Sequence, residues 1–125
     1  MYSFKENTMK VLWITNILFP EAERLLSGNG ELKASGGWML GSAEALLLHS
    51  DIKLTVATVS TKVKSLTKLE GCKMMYYILP MGRGNQRINP EYEPLWKQVE
   101  SEVRPDIVHI HGTEFSHGLA YMRAC

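Results

Sequence analysis

Residues 9–16 read Met9-Lys10-Val11-Leu12-Trp13-Ile14-Thr15-Asn16, and the fold is decided by what their apolar centre forms. Val11-Leu12-Trp13-Ile14 is a continuous apolar run without alternation, the pattern of a strand covered on both faces in a parallel sheet. Asn16 and Pro20 close it. Further on, Gly36-Gly37 stands at the head of a helical stretch over residues 37–49, where Met39, Ala43, Leu46 and Leu47 recur at i, i+4, i+7 and i+8. Strand, glycine turn and helix N-terminus in that order gather backbone N–H groups and a partial positive charge where a phosphate or a sugar hydroxyl can be met. A glycine pair that merely turns a loop into a helix is the plain alternative.

Working outward, residues 17–35 make a connection longer than ordinary βα loops, carrying Pro20, Gly28, Gly30 and many charges. It reads as a lid over the carboxyl edge of a sheet, with a turn of helix over residues 21–26. Residues 53–59, rich in Val and Thr, read as a second strand. Residues 60–71 read as irregular, and residues 72–79 as a third strand stopped by Pro80. A helix follows, with Asn89 as its cap, Pro90 in its first turn, and Tyr92, Leu95, Trp96, Val99 and Val103 on one stripe. Glu93 and Lys97 form an i,i+4 pair on it, and Arg104-Pro105 ends it. Ile107-Val108-His109-Ile110-His111 is a fourth strand with Gly112 as its turn, and a short helix runs from about residue 116 to 123. Strands joined by helices or long connections argue for an α/β fold: a Rossmann-like open parallel sheet of about four strands, order 3-2-1-4, with flanking helices. The last helix should lead to a further strand, so residues 1–125 read as part of a domain, with residues 1–8 a loose extension.

The totals exclude several classes. Hydrophobic residues at 45% and charged residues at 22% are those of a globular protein, and a net charge of +1 implies no nucleic acid as a partner. Lys62, Lys64, Lys68 and Lys73 read as a solvated face, with a membrane-facing or nucleic-acid role the minority alternative. The 2 cysteines, Cys72 and Cys125, make neither a disulfide framework nor a zinc motif and suit a cytoplasmic chain. No apolar run at the N-terminus is long enough for a signal peptide or a membrane span.

Two places carry candidate chemistry. Gly36 and Gly37 are one, and Gly28-Asn29-Gly30 lacks the third glycine of a dinucleotide fingerprint, which disfavours NAD. The other is His109-Ile110-His111-Gly112-Thr113, where alternation puts both histidines on one face near a strand's carboxyl end. With the order 3-2-1-4, strand order reverses between the first and fourth strands, so Gly36-Gly37 and His111 share one crevice. His111, at the strand exit, reads as a group that accepts a hydroxyl proton or hydrogen-bonds a sugar, whereas His109 reads as a core histidine. Glu114 and His117 are equally readable as ligand contacts or surface residues. The histidines lack a carboxylate spaced to complete a metal site, so no metal is expected.

Residues 9–16, Gly36-Gly37-Trp38 and Arg104-Pro105-Asp106-Ile107-Val108-His109-Ile110-His111-Gly112 together resemble the N-terminal, acceptor-side domain of glycosyltransferase family 4, enzymes of the GT-B fold. The resemblance spans most of the chain and implies a retaining, metal-independent transfer of a sugar from a nucleotide-sugar to an acceptor hydroxyl, with no cofactor, in glycan or glycolipid synthesis. It implies that Gly36 and Gly37 lie at donor phosphates and acceptor, and that His111 lines the reacting-sugar side, with Gly112 and Thr113 beside it as substrate contacts. It places the donor-binding domain outside this sequence, so the chain alone should be inactive. Partners would be the nucleotide-sugar, a sugar or lipid-linked acceptor, a membrane surface, and a second copy meeting an uncovered sheet edge. An α/β nucleotide or phosphate binder without transferase activity, and a non-catalytic interaction domain, are the alternatives.

Overall fold

The computed structural model describes residues 8–27, 37–49, 51–81, 91–111 and 116–125. Five strands, β1 (Met9–Ile14), β2 (Ile52–Ser60), β3 (Thr67–Glu70), β4 (Met75–Pro80) and β5 (Ile107–Ile110), form one sheet in the order β3-β4-β2-β1-β5. β1 pairs in parallel with β2 (Val11 opposite Leu54) and with β5 (Val11 opposite Ile107), and β2 pairs in parallel with β4. β3 is antiparallel to β4. The architecture is therefore α/β with a mixed, mostly parallel sheet.

The sheet differs from the expected four parallel strands in the order 3-2-1-4. Residues 60–71 are not irregular throughout, because Thr67–Glu70 folds back along β4 as an added edge strand. Its alternating half-buried and exposed residues include one large apolar side chain, Leu69, so it carries little of the hydrophobic signal that marks an interior strand.

Four helices, α1 (Pro20–Ser27), α2 (Gly37–Leu46), α3 (Tyr92–Val103) and α4 (Ser116–Ala124), cover the sheet on both faces. Alternation along β1 divides the core. Val11 and Trp13 join Leu54, Val56, Tyr76 and Ile78 under Phe19 and Ala22 beside α1 and Met39 and Ala43 of α2. Leu12 and Ile14 join Ala57, Tyr77 and Leu79 under Tyr92, Trp96 and Val99 of α3 and Ala120 and Tyr121 of α4. The stripe read from residues 92–103 is thus the buried face of α3. That helix starts at Glu91, which makes no side-chain cap, while Asn89 and Pro90 lie outside the described residues. It ends where Arg104 takes the left-handed conformation, φ 50°, and returns its N–H to the Glu100 carbonyl. Glu93 meets Arg123 of α4 at 3.2 Å.

Within residues 17–35, the expected turn of helix over residues 21–26 is present and longer. Residues 20–27 are a helix, with Phe19, Pro20 and Ala22 buried. Glu21 fastens it to the β3–β4 turn: its Oε1 accepts from the Tyr76 hydroxyl at 2.7 Å, and its Oε2 accepts from the Cys72 N–H at 3.0 Å. Burial raises the Glu21 carboxyl, but these bonds and the nearby Arg24 outweigh it and leave the group below its ordinary range. The carboxylate lies so close to Gly71 that a Cβ there would stand 2.3 Å from Glu21 Oε1 and 2.7 Å from the Met74 carbonyl oxygen. Residues 28–36 lie outside the described residues.

Candidate functional site at the carboxyl edge

Thr15 follows β1 directly, and three parts of the chain converge there. The Thr15 N–H donates to the Ala57 carbonyl at 2.9 Å. Its own carbonyl accepts from the Thr58 hydroxyl and sits 2.7 Å from His117 Nε2. A carbonyl only accepts, so Nε2 carries the proton, and both lone pairs of this oxygen are used. The Thr15 hydroxyl donates to the Ile17 carbonyl at 2.9 Å and turns the chain off the strand. On the other side, the His111 N–H donates to the Ile14 carbonyl at 2.8 Å, extending the β1–β5 ladder by one bond. From β1 the sheet continues toward β2 and β4 on one side and β5 on the other, so the order reverses between β1 and β5.

The histidines occupy this point differently from their sequence reading. His109 is exposed rather than part of the core, because β5 is an edge strand among the described residues. Its ring stacks on that of His111 at 3.9 Å, the planes 24° apart. Both rings stand edge-on to Trp13, His111 at 4.5 Å and His109 at 5.8 Å between centroids. His111 is half-buried, and burial first, then the neighbouring His109, hold its imidazole below the ordinary value. It is therefore neutral near pH 7, and a neutral imidazole can take a proton.

His117 is buried, at 5% exposure, which corrects its reading as a surface residue. Burial lowers its pKa, against a smaller opposite effect of the Thr15 bond. Its backbone carbonyl accepts from Trp96 Nε1 at 2.8 Å and its ring stands edge-on to Tyr92, so it belongs to the α3–α4 side. His109 and His111 lie against Trp13 on the opposite face, and among the described residues no group of three His, Cys, Asp or Glu is placed to hold a metal ion.

Gly37 opens α2, and Met39 and Ala43 place that helix on the face of Trp13 and His111. The chain leaves α2 toward the start of β2, where Ile52 N–H donates to the His49 carbonyl at 3.2 Å. A helix of 10 residues is about 15 Å long, so its N-terminus is directed back toward the carboxyl edge. Gly36, Gly112, Thr113 and Glu114 lie outside the described residues.

Two participants were not singled out from the sequence. Trp13 forms the wall against which both histidine rings rest, and Thr15 holds the junction. Strand parity contains the first, since Trp13 stands opposite His109 in the parallel register. No protein-family model, curated protein or solved structure matches this chain.

Proposed function

We propose that this chain is the acceptor-side, N-terminal domain of a retaining GT-B glycosyltransferase that moves a sugar from a nucleotide-sugar to an acceptor hydroxyl. The carrying observation is the neutral, half-buried His111 at the exit of β5, walled by Trp13 at the reversal of strand order. The family resemblance of residues 9–16, 36–38 and 104–112 supports the same reading. In it, His111 hydrogen-bonds or takes the proton from the reacting hydroxyl, and the α2 N-terminus at Gly36-Gly37 faces the donor phosphates. Gly112 and Thr113 line the acceptor side. No cofactor or metal enters, and the leaving diphosphate is stabilised by a donor domain on a separate unit. The Rossmann-like character of the sheet, a place in the cytoplasm and contact with a membrane-borne acceptor are parts of this proposal. Self-association along β5, whose Ile107 is 47% exposed, is another, and a monomeric mass at high concentration in light scattering would overturn it.

The test is nucleotide-sugar turnover by the protein carrying both domains. His111→Ala should lower turnover by about 10²- to 10⁴-fold, the usual worth of a positioned acid–base group, with the fold unchanged by circular dichroism. Unchanged turnover would remove His111 from the mechanism. Calorimetric binding of a free mononucleotide with no preference for its sugar-linked form would favour a nucleotide binder without transferase activity.

A further inference from the structure

At the opposite end of the sheet, the amino ends of β1, β2 and β4 enclose a second, unrelated cleft of about 130 Å³. Parallel register sets Lys10 beside Lys53, and antiparallel register sets Lys68 beside Tyr77. These residues line the cleft on the α3 side of the sheet, with Thr55 and Glu102. Glu102 and Val103, at the end of α3, form one wall of the cleft.

We propose that this cleft binds a small phosphate-class oxyanion. Three ammonium groups line it against one carboxylate. That carboxylate, Glu102, attracts Lys68 and accepts from two neutral donors, the Tyr77 hydroxyl on Oε1 at 2.8 Å and Gln98 Nε2 on Oε2 at 3.0 Å, so it offsets one of the cations and leaves the cleft net positive. Asp106, the nearest acid on the β5 side, takes the main-chain N–H of Lys10 at 2.8 Å rather than an ammonium. Lys68 rests over the Tyr77 ring at 5.8 Å. Among the described residues none of the three lysines forms a salt bridge. The floor adds Thr55, only 4% exposed, whose hydroxyl no other described residue engages. Cations beside a hydroxyl that can donate match a tetrahedral oxyanion, which accepts at every oxygen.

Inorganic phosphate, or the phosphate end of a monoester, suits a lining of three lysines and a threonine. The cleft lies at the amino ends of the strands, across the sheet from His111 at the carboxyl edge. The site is therefore separate from the donor phosphates of the proposed transfer reaction, and its failure would leave that reading untouched.

The test uses the ¹⁵N-labelled 125-residue chain titrated with inorganic phosphate against chloride at matched ionic strength. Saturable amide shifts should gather at Lys10, Lys53, Thr55 and Lys68. Lys53→Gln and Lys68→Gln, both at exposed positions, should each weaken binding about tenfold, the worth of one charged hydrogen bond. Lys62→Gln, exposed but outside the cleft, should leave it unchanged. Shifts that chloride reproduces, shifts that do not saturate, or equal binding by all three variants would overturn the assignment.

Discussion

The two faces of the sheet are built from the same five strands, yet they are closed in different ways. On the α3–α4 face, aromatic anchors reach deep and are hydrogen-bonded. Trp96 is fully buried, donates to the His117 carbonyl and stands edge-on to Tyr121 at 5.4 Å. Tyr121 in turn bonds Glu100, and Tyr77 bonds Glu102. On the α1–α2 face, α2 buries Met39 and Ala43, its end leaves Leu48 85% exposed, and α1 is tied through Glu21 and through the exposed Glu23–Lys62 pair. The histidine pair proposed as functional lies against Trp13 on this more lightly fastened face. The difference teaches that the described elements fasten the two faces unequally, with the α3–α4 side tied by hydrogen-bonded buried aromatics and the histidine pair set on the other side.

The largest test of that division is Trp96→Ala. It removes a fully buried ring and its bond to α4, and should cost about 3–5 kcal/mol in urea unfolding. A loss under about 1 kcal/mol would mean that this face is not the anchored one. Gly71→Ala comes next. The new methyl meets Glu21, the Met74 carbonyl and the Tyr76 ring, and overpacking of this kind costs about 1–3 kcal/mol. Tolerance would show that α1 is not fastened at this turn.

Acidification separates the faces by chemistry. His111 and His117, one on each face, are both depressed below the ordinary 6.5. The unfolded chain then binds more protons than the folded one, so stability is full above about pH 6.5 and falls as the pH drops toward the folded values. For one proton the slope cannot exceed about 1.4 kcal/mol per pH unit. His117→Gln should flatten this slope; an unchanged one would deny that burial of His117 matters. Gly41→Ala, in the interior of α2 with nothing within 4 Å of the new methyl, should stabilise by about 0.5–1 kcal/mol. A destabilisation there would show that α2 is packed more tightly than described. Least of all, Lys62→Ala removes the exposed 2.9 Å pair with Glu23 and should change stability by less than about 0.5 kcal/mol. A larger loss would reveal a further tie on α1.

Local pattern carried much of the architecture. The unbroken apolar run of Val11 to Ile14 told of a strand buried on both faces, and the spacing of Tyr92, Trp96 and Val99 told which side of α3 is buried. β3 escaped because an edge strand needs only one half-buried Leu69. The sequence reads His109 as a core residue and leaves His117 as a ligand contact or a surface residue, whereas His109 is exposed and His117 is buried. Burial of a histidine depends on what folds across it. His109 is exposed because β5 is an edge, and His117 is buried because α4 returns to Thr15, 102 residues away in sequence. Neither fact is local. Of the site itself, the position of His111 and its face were legible, while Gly36, Gly112 and Thr113 lie outside the described residues.

The central place of β1 has a consequence for how the chain is made. Its outer partner is β5, and the Lys10 N–H meets the Asp106 carboxylate across 96 residues of sequence. On the ribosome β1 emerges first and, at about 5–20 residues per second, waits several seconds for β5 to be synthesised. During that interval an apolar central strand offers an unpaired side to other chains. Slow, non-local closure of this kind sets the folding rate of parallel sheets. Chaperone demand should therefore end only when residues 107–110 clear the exit tunnel.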